Sequence, residues 1–195
     1  MTTRWLLVPL LVGALSACSF DIEMGQRPGT GAAAPPCRLS DGQTDGSLVL
    51  MAQSVPTASV LPCLRRLPEG WTVGGYSAHN GRARLWLVVG SETRTALTVT
   101  LQKRCDLDEF AEVQSDVGGT LRFERQTSSA AALSGSRAYV YPGSCLRYDY
   151  ALLDATALPV LQMAIGTIDR ASIAAHVAQD TRSRLQLDPS ARRTS

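Results

Sequence analysis

Between residues 82 and 89 apolar and polar side chains alternate. Ala83, Leu85, Leu87 and Val89 fall on one face of an extended segment, Arg82, Arg84 and Trp86 on the other. A period of two marks a β-strand with one face on a core and one in water. Residues 95–103 repeat it, with Leu97, Val99 and Leu101 together. Residues 71–78 alternate more loosely around Gly74 and Gly75, which predicts a bulge or a close backbone approach. Between these runs, His79-Asn80-Gly81 is a hairpin turn, because Asn-Gly readily takes the positive φ that such turns need. The three runs predict an antiparallel meander.

Further along, residues 106–119 read as a polar connection. Residues 120–126 alternate again, with Leu121 and Phe123 expected to face inward. Residues 137–141 and 145–152 are two more strands, split by the turn pair Pro142-Gly143. In the second of them Leu146, Tyr148, Tyr150 and Leu152 share a face, with Arg147 and Asp149 opposite. Upstream, residues 47–52 read as a short buried strand. Pro56, Pro62 and Pro68 exclude a long helix over 54–68 and leave at most one helical turn at 63–66. After Asp154 the period lengthens: Leu158, Leu161, Ile165 and Ile168 recur at helical spacing. Asp169 then suits the N-cap of a second helix over 170–185, striped by Ile173, Val177 and Leu185 on one side and by Ser172, His176, Gln179 and Ser183 on the other. The expected fold is α+β: an antiparallel sheet of about five to seven strands with two C-terminal helices packed on one face.

The first residues have a different pattern. One cation in residues 1–4 precedes an apolar run over 6–15 broken only by Pro9 and Gly13. That is the core of a secretory leader, well short of the roughly 20 residues a membrane span needs. It ends in Leu15-Ser16-Ala17-Cys18, which resembles the lipobox of bacterial lipoproteins. The resemblance implies cleavage before Cys18 and a diacylglyceryl group on its thiol. At about 0.8 kcal/mol per buried methylene, two acyl chains hold a protein stably where one does not. Residues 1–17 are then a signal peptide and 18–36, rich in Gly, Pro and Ala, a flexible tether. A single domain spans 37–187, and 188–195 form a frayed tail with Arg192 and Arg193 in solvent. The expected location is the outer face of the cell membrane, with the membrane itself a partner through the anchor.

Composition agrees with a folded domain: of 195 residues, 45% are hydrophobic and 18% charged. The net charge of +2, or +1 without residues 1–17, calls for neither nucleic acid nor an anionic surface as a partner. Lys103 is the sole lysine, a bias of GC-rich codon usage. Of five cysteines, four follow Cys18, and in an oxidising compartment an even number predicts two disulfides. Three pairings are possible; Cys37–Cys63 and Cys105–Cys145 are favoured because each closes a contiguous segment. Each would contribute about 3–4 kcal/mol by the chain-entropy model. No two cysteines are close in sequence and the chain has two histidines, so no metal site is expected. With no P-loop, Rossmann glycine fingerprint, HExxH or haem motif, no cofactor is expected either.

Several segments taken together, LVLMAQSVPTASVLPCL, LPEGW, FER, YPGSCLRYDY and AIGTIDRASIAAHV, resemble a family of secreted or lipid-anchored proteins from GC-rich Gram-positive bacteria. The likeness runs over about residues 37–179. It implies the cysteine pairs as structural features and implies no activity, so no catalytic residue is carried over.

Three groups of residues invite chemistry. Gly75-Tyr76-Ser77-Ala78-His79 lies one residue from the G-x-S-x-G elbow of α/β-hydrolases, and Asp154 and His176 follow in triad order. The final Gly is replaced by His79, and a strand follows where a helix is needed. Asp41, Asp45, Asp106, Asp108 and Glu109 are acidic, but neither DGQTDG nor DLDE has the ligand spacing of a calcium loop. Trp86, Tyr139, Tyr141, Tyr148 and Tyr150 sit on strands and would suit a partner or glycan if exposed, or a core if not. The expectation is a non-enzymatic binding domain of the cell envelope, facing an envelope protein or wall polymer. The alternative is a cell-envelope hydrolase.

Overall fold

A computed structural model describes residues 35–39, 45–90, 95–129, 132–152, 157–180 and 186–190. The described residues are mostly antiparallel sheet, with three helices and two disulfides. The expected meander is present: β2 (Trp71–His79), β3 (Arg82–Val89) and β4 (Thr95–Gln102) pair in sequence, with a register shift between Val73 and Gly75. The chain then leaves β4 for the far edge of the sheet. It returns inward as β5 (Ala111–Val113), β6 (Leu121–Ser129), β7 (Ala132–Tyr141) and β8 (Ser144–Leu152), so that β8 lies beside β4. The seven strands are ordered β2-β3-β4-β8-β7-β6-β5, every pairing antiparallel. The sheet is thus two meanders fused at the β4–β8 seam. Both favoured disulfides are formed. Cys105–Cys145 closes the excursion beside that seam, where Gln102 is already in register with Cys145.

A second layer covers the apolar half of the sheet. Helix α1 (Gly46–Ser54) packs against β2 and β3, and β1 (Val60–Leu64) against β4. Strand β1 pairs antiparallel with β9 (Ile165–Asp169), which runs between α2 (Ala157–Ala164) and α3 (Arg170–Gln179). Leu48, Met51, Leu61, Leu161 and Ile173 join Leu85, Leu87, Val99, Leu101 and Leu146 in one buried cluster. The chain reaches this layer through Pro36, which bridges Leu64, and the Cys37–Cys63 bond fastens it there. The described structure therefore includes the last two residues of the segment read as a tether. At the other end, Gln53 donates to the Gln186 carbonyl and Arg170 to that of Asp188, so residues 186–188 are tied back. Cys18, Asp41, Asp154, Arg192 and Arg193 lie outside the described residues.

Four local expectations need correcting. Residues 47–52 are helix, not strand. Asp45 accepts from the Ser47 amide at 2.8 Å and caps α1, whose apolar side chains are buried almost all round, so the run shows no helical stripe. The segment 63–66 is not a helical turn: Cys63 and Leu64 belong to β1, where Pro62 is tolerated because the ribbon has only two strands. The helical spacing from Leu158 to Ile168 does not mark one helix. Helix α2 stops at Ala164, and β-branched Ile165, Thr167 and Ile168 pair with β1 instead. Leu121 does not face inward but is 52% exposed, for a reason that lies in the site.

Candidate functional site

Three rows of side chains cross the core face of the sheet from β6 to β4. One runs Arg122, Tyr139, Leu146, Leu101; the next Glu124, Arg137, Tyr148, Val99; the third Gln126, Gly135, Tyr150, Leu97. Each passes from polar or charged, through aromatic, to aliphatic. The aliphatic ends lie in the core. The aromatic middles line a cavity of about 280 Å³, walled across the gap by Leu158, Leu161 and Gln162 of α2 and by Ile165 and Thr167 of β9. Asp116, from the loop before β6, and Arg65 complete its rim. On β6 the core face is this polar one, which is why the residues alternating with Arg122 and Glu124, Leu121 among them, point the other way.

Gly135 is required where it stands. A Cβ there would lie 2.6 Å from the Tyr150 hydroxyl and 2.7 Å from the Arg125 carbonyl oxygen, so only glycine leaves the phenol room across β7. Tyr139 and Tyr148 meet edge to face, with centroids 5.9 Å apart.

The charged end is a continuous chain. Tyr139 donates to Asp116 at 2.8 Å, and Arg122 pairs with Asp116 at 3.2 Å. Arg122 and Arg137 both donate to Glu124 Oε1, their Nε atoms at 3.0 and 2.5 Å. The Gln162 carboxamide oxygen, oriented to satisfy the network, faces the Arg137 guanidinium. Two cations and two anions cancel, so the buried Arg137 is compensated. Burial works to raise the Asp116 carboxyl, but the Tyr139 hydrogen bond, a backbone hydrogen bond and the charges of Arg122 and Arg137 together hold it below its usual value. Burial likewise acts on Glu124 and is outweighed by Arg122 and Arg137. Burial and the hydrogen bond to Asp116 push the Tyr139 phenol up to about 12. Burial also raises Tyr148, helped by its neighbours Tyr141 and Tyr139, as well as Tyr141 and Tyr150. At neutral pH the site therefore presents uncharged phenols beside carboxylates fixed as acceptors.

No family model, curated protein or solved structure matches the chain. The geometry alone must carry the reading.

The four tyrosines named from the sequence are brought together, as pocket walls rather than as an open surface. Trp86 is not among them; it lies on the opposite face of the sheet. Ser77 stands within strand β2, in register with Arg84, and not at a strand-to-helix turn. His176 is in the last turn of α3. The loop acids have local structural work: Asp45 caps α1, Asp106 accepts from the Asp108 amide at 3.3 Å, and Glu109 pairs with Arg125. The reading of the sequence missed Arg65, Asp116, Arg122, Glu124, Arg137 and Gln162. Of these only Arg122 and Glu124 left a trace: both are ionisable, two apart on a strand, which pairs them on one face.

Proposed function

We propose that this protein is an extracytoplasmic lipoprotein, acylated on Cys18 and held at the outer face of the cell membrane, that acts by binding. Its ligand site is the tyrosine pocket, and the ligand is a small polar molecule with an apolar face, the chemistry of a monosaccharide. We place it with the secreted, lipid-anchored family of GC-rich Gram-positive bacteria that its segments resemble. The lipobox-like ending of the leader and the two disulfides support the compartment. We also read the two C-terminal helices as covering one face of the sheet. Leu161 and Ile173 in the shared core support this.

The observation that carries the binding reading is the arrangement of the pocket's charges. Aromatic faces stand beside donors and acceptors fixed by their neighbours, as small-molecule sites require. Both carboxylates are committed to arginines and held ionised, and a carboxylate with a lowered pKa is a poor proton acceptor. Such a site orients a ligand better than it moves protons. Saturation-transfer NMR of the mature protein with glucose, mannose and N-acetylglucosamine tests this. Transfer to at least one sugar, lost in Tyr148→Ala, is expected; no transfer to any of them rejects the reading.

A further inference from the structure

The near-neutral net charge hides a strong asymmetry on the face of the sheet turned away from the core. Alternation along β3 puts Arg82 and Arg84 there, both exposed. Lys103 and Arg104 follow directly on β4 and are exposed too. Register sets Arg82 between His79 on β2 and Gln102 on β4. These cations border an open groove of about 780 Å³. Among the described residues none of the four pairs with an acid; the ion pairs engage Arg122, Arg125, Arg137 and Arg147 instead. Asp149, the acid on this face of β8, is held by Arg147 at 2.9 Å and by Ser136 at 2.6 Å.

The groove also has an aromatic floor. A Cβ at Gly74 would stand 2.4 Å from Trp86 Cδ1, and one at Gly75, 2.5 Å from Trp86 Cζ2. The glycine pair is thus the seat on which the indole lies flat across β2. One ring face rests on backbone and the indole lines the groove. A fixed aromatic plane beside unpaired arginines suits a ligand with alternating rings and negative charges.

We propose that this groove docks an anionic polysaccharide, with a sugar ring on Trp86 and acidic groups on Arg82, Arg84, Lys103 and Arg104. Exposed ion pairs are individually weak, so four spread cations hold a polymer carrying several charges and not a lone anion. Two further observations bear on this occupant. The disulfides belong to an oxidising compartment, where glycans and not nucleic acids are the abundant polymers. The choice of glycan thus shares the extracytoplasmic reading but not the tyrosine pocket. And the chain reaches the domain at Pro36, on the ribbon of β1, whose Leu61 lies in the core on the opposite side of the sheet from the groove. Pro36 and that ribbon therefore do not lie across the groove.

The acylated mature protein in phosphatidylcholine nanodiscs tests this by the fluorescence of Trp86 in a Trp71→Phe background. The probes are polygalacturonate, a phosphorylated mannan, neutral dextran, single-stranded DNA and phosphatidylglycerol vesicles. Binding of polygalacturonate or of the phosphomannan is expected, and which one binds identifies the acidic group. It should weaken at least tenfold in Arg82→Gln/Arg84→Gln and between 50 and 300 mM salt, with dextran silent. Failure of both anionic glycans, equal binding of DNA or of the vesicles, or an unchanged affinity in the double variant would each overturn the proposal. None of these substitutions touches the tyrosine pocket, so sugar transfer there reports independently.

Discussion

Glu124 is the residue on which the charged end of the pocket depends. It accepts from two arginines while its side chain is 27% exposed, and Arg137 beside it is 11% exposed. Among the described residues, Glu124→Ala leaves the buried guanidinium with Gln162 as its side-chain acceptor. We expect a loss of about 2–3 kcal/mol in urea denaturation, below the roughly 3–5 of a fully buried pair because water reaches this one. Glu124→Gln keeps an acceptor without the charge and should cost less. An unchanged midpoint in Glu124→Ala would show that Arg137 is not held by this pair. The same carboxylates set an acid limit. Asp116 and Glu124 are both held below their ordinary values of 3.8 and 4.5. As pH falls the unfolded chain takes up protons first, so the stability they contribute is whole above about pH 5 and declines below it, down through their lowered folded values. Glu124→Gln should flatten that decline. An equally steep acid limb in the variant would assign the loss to other groups.

At the scale of elements, the strands carrying the aromatics make the opposite prediction for alkali. Tyr139, Tyr141, Tyr148 and Tyr150 on β7 and β8 all have raised values, chiefly through burial. The unfolded chain releases these protons near pH 10 while the folded one keeps them, so stability is full below that and falls as pH rises towards the folded values. Titration followed at 295 nm should show tyrosinate appearing together with unfolding. Smooth ionisation of a native protein at pH 10 would contradict the burial. These strands were legible in the sequence because their alternation is imposed by one buried face, and the hairpin turns because Asn80-Gly81 and Pro142-Gly143 are local chemistry. What was not legible is what only distant partners decide. Leu48 to Ala52 reads equally as strand or helix until the Asp45 cap is noticed. Ile165 to Asp169 keeps a helical period yet pairs with β1, one hundred residues away. The pocket was hidden for a related reason. Its tyrosines were visible, but Asp116, Arg65 and Gln162 reach it from a loop, the segment after β1 and α2, and no spacing along the chain connects them.

The whole molecule joins two meanders at one seam, and its disulfides sit at the two places where hydrogen bonding alone leaves the chain long loops to close. The Cys105–Cys145 bond spans 40 residues and Cys37–Cys63 spans 26. Removing the first pair as Cys105→Ser/Cys145→Ser frees the whole excursion through β5, β6 and β7, at about 3–4 kcal/mol. The tyrosine pocket should loosen with it, because that excursion carries Arg137 and Tyr139. Undiminished stability would mean that the β4–β8 ladder fixes the seam unaided. Anchoring, by contrast, is expected to be separable from folding. The described contacts of the domain start at Pro35, whose carbonyl accepts from the Leu64 amide at 2.7 Å, seventeen residues beyond Cys18. Cys18→Ala should therefore abolish incorporation of an alkyne-labelled palmitate and release the protein from membranes. The melting temperature of the mature domain should stay within about a degree of the parent, as for a neutral surface substitution. Continued labelling would remove the anchor. A lowered melting temperature would mean instead that residues before Pro35 belong to the fold, and that the lipid holds the domain close to the membrane rather than on a tether.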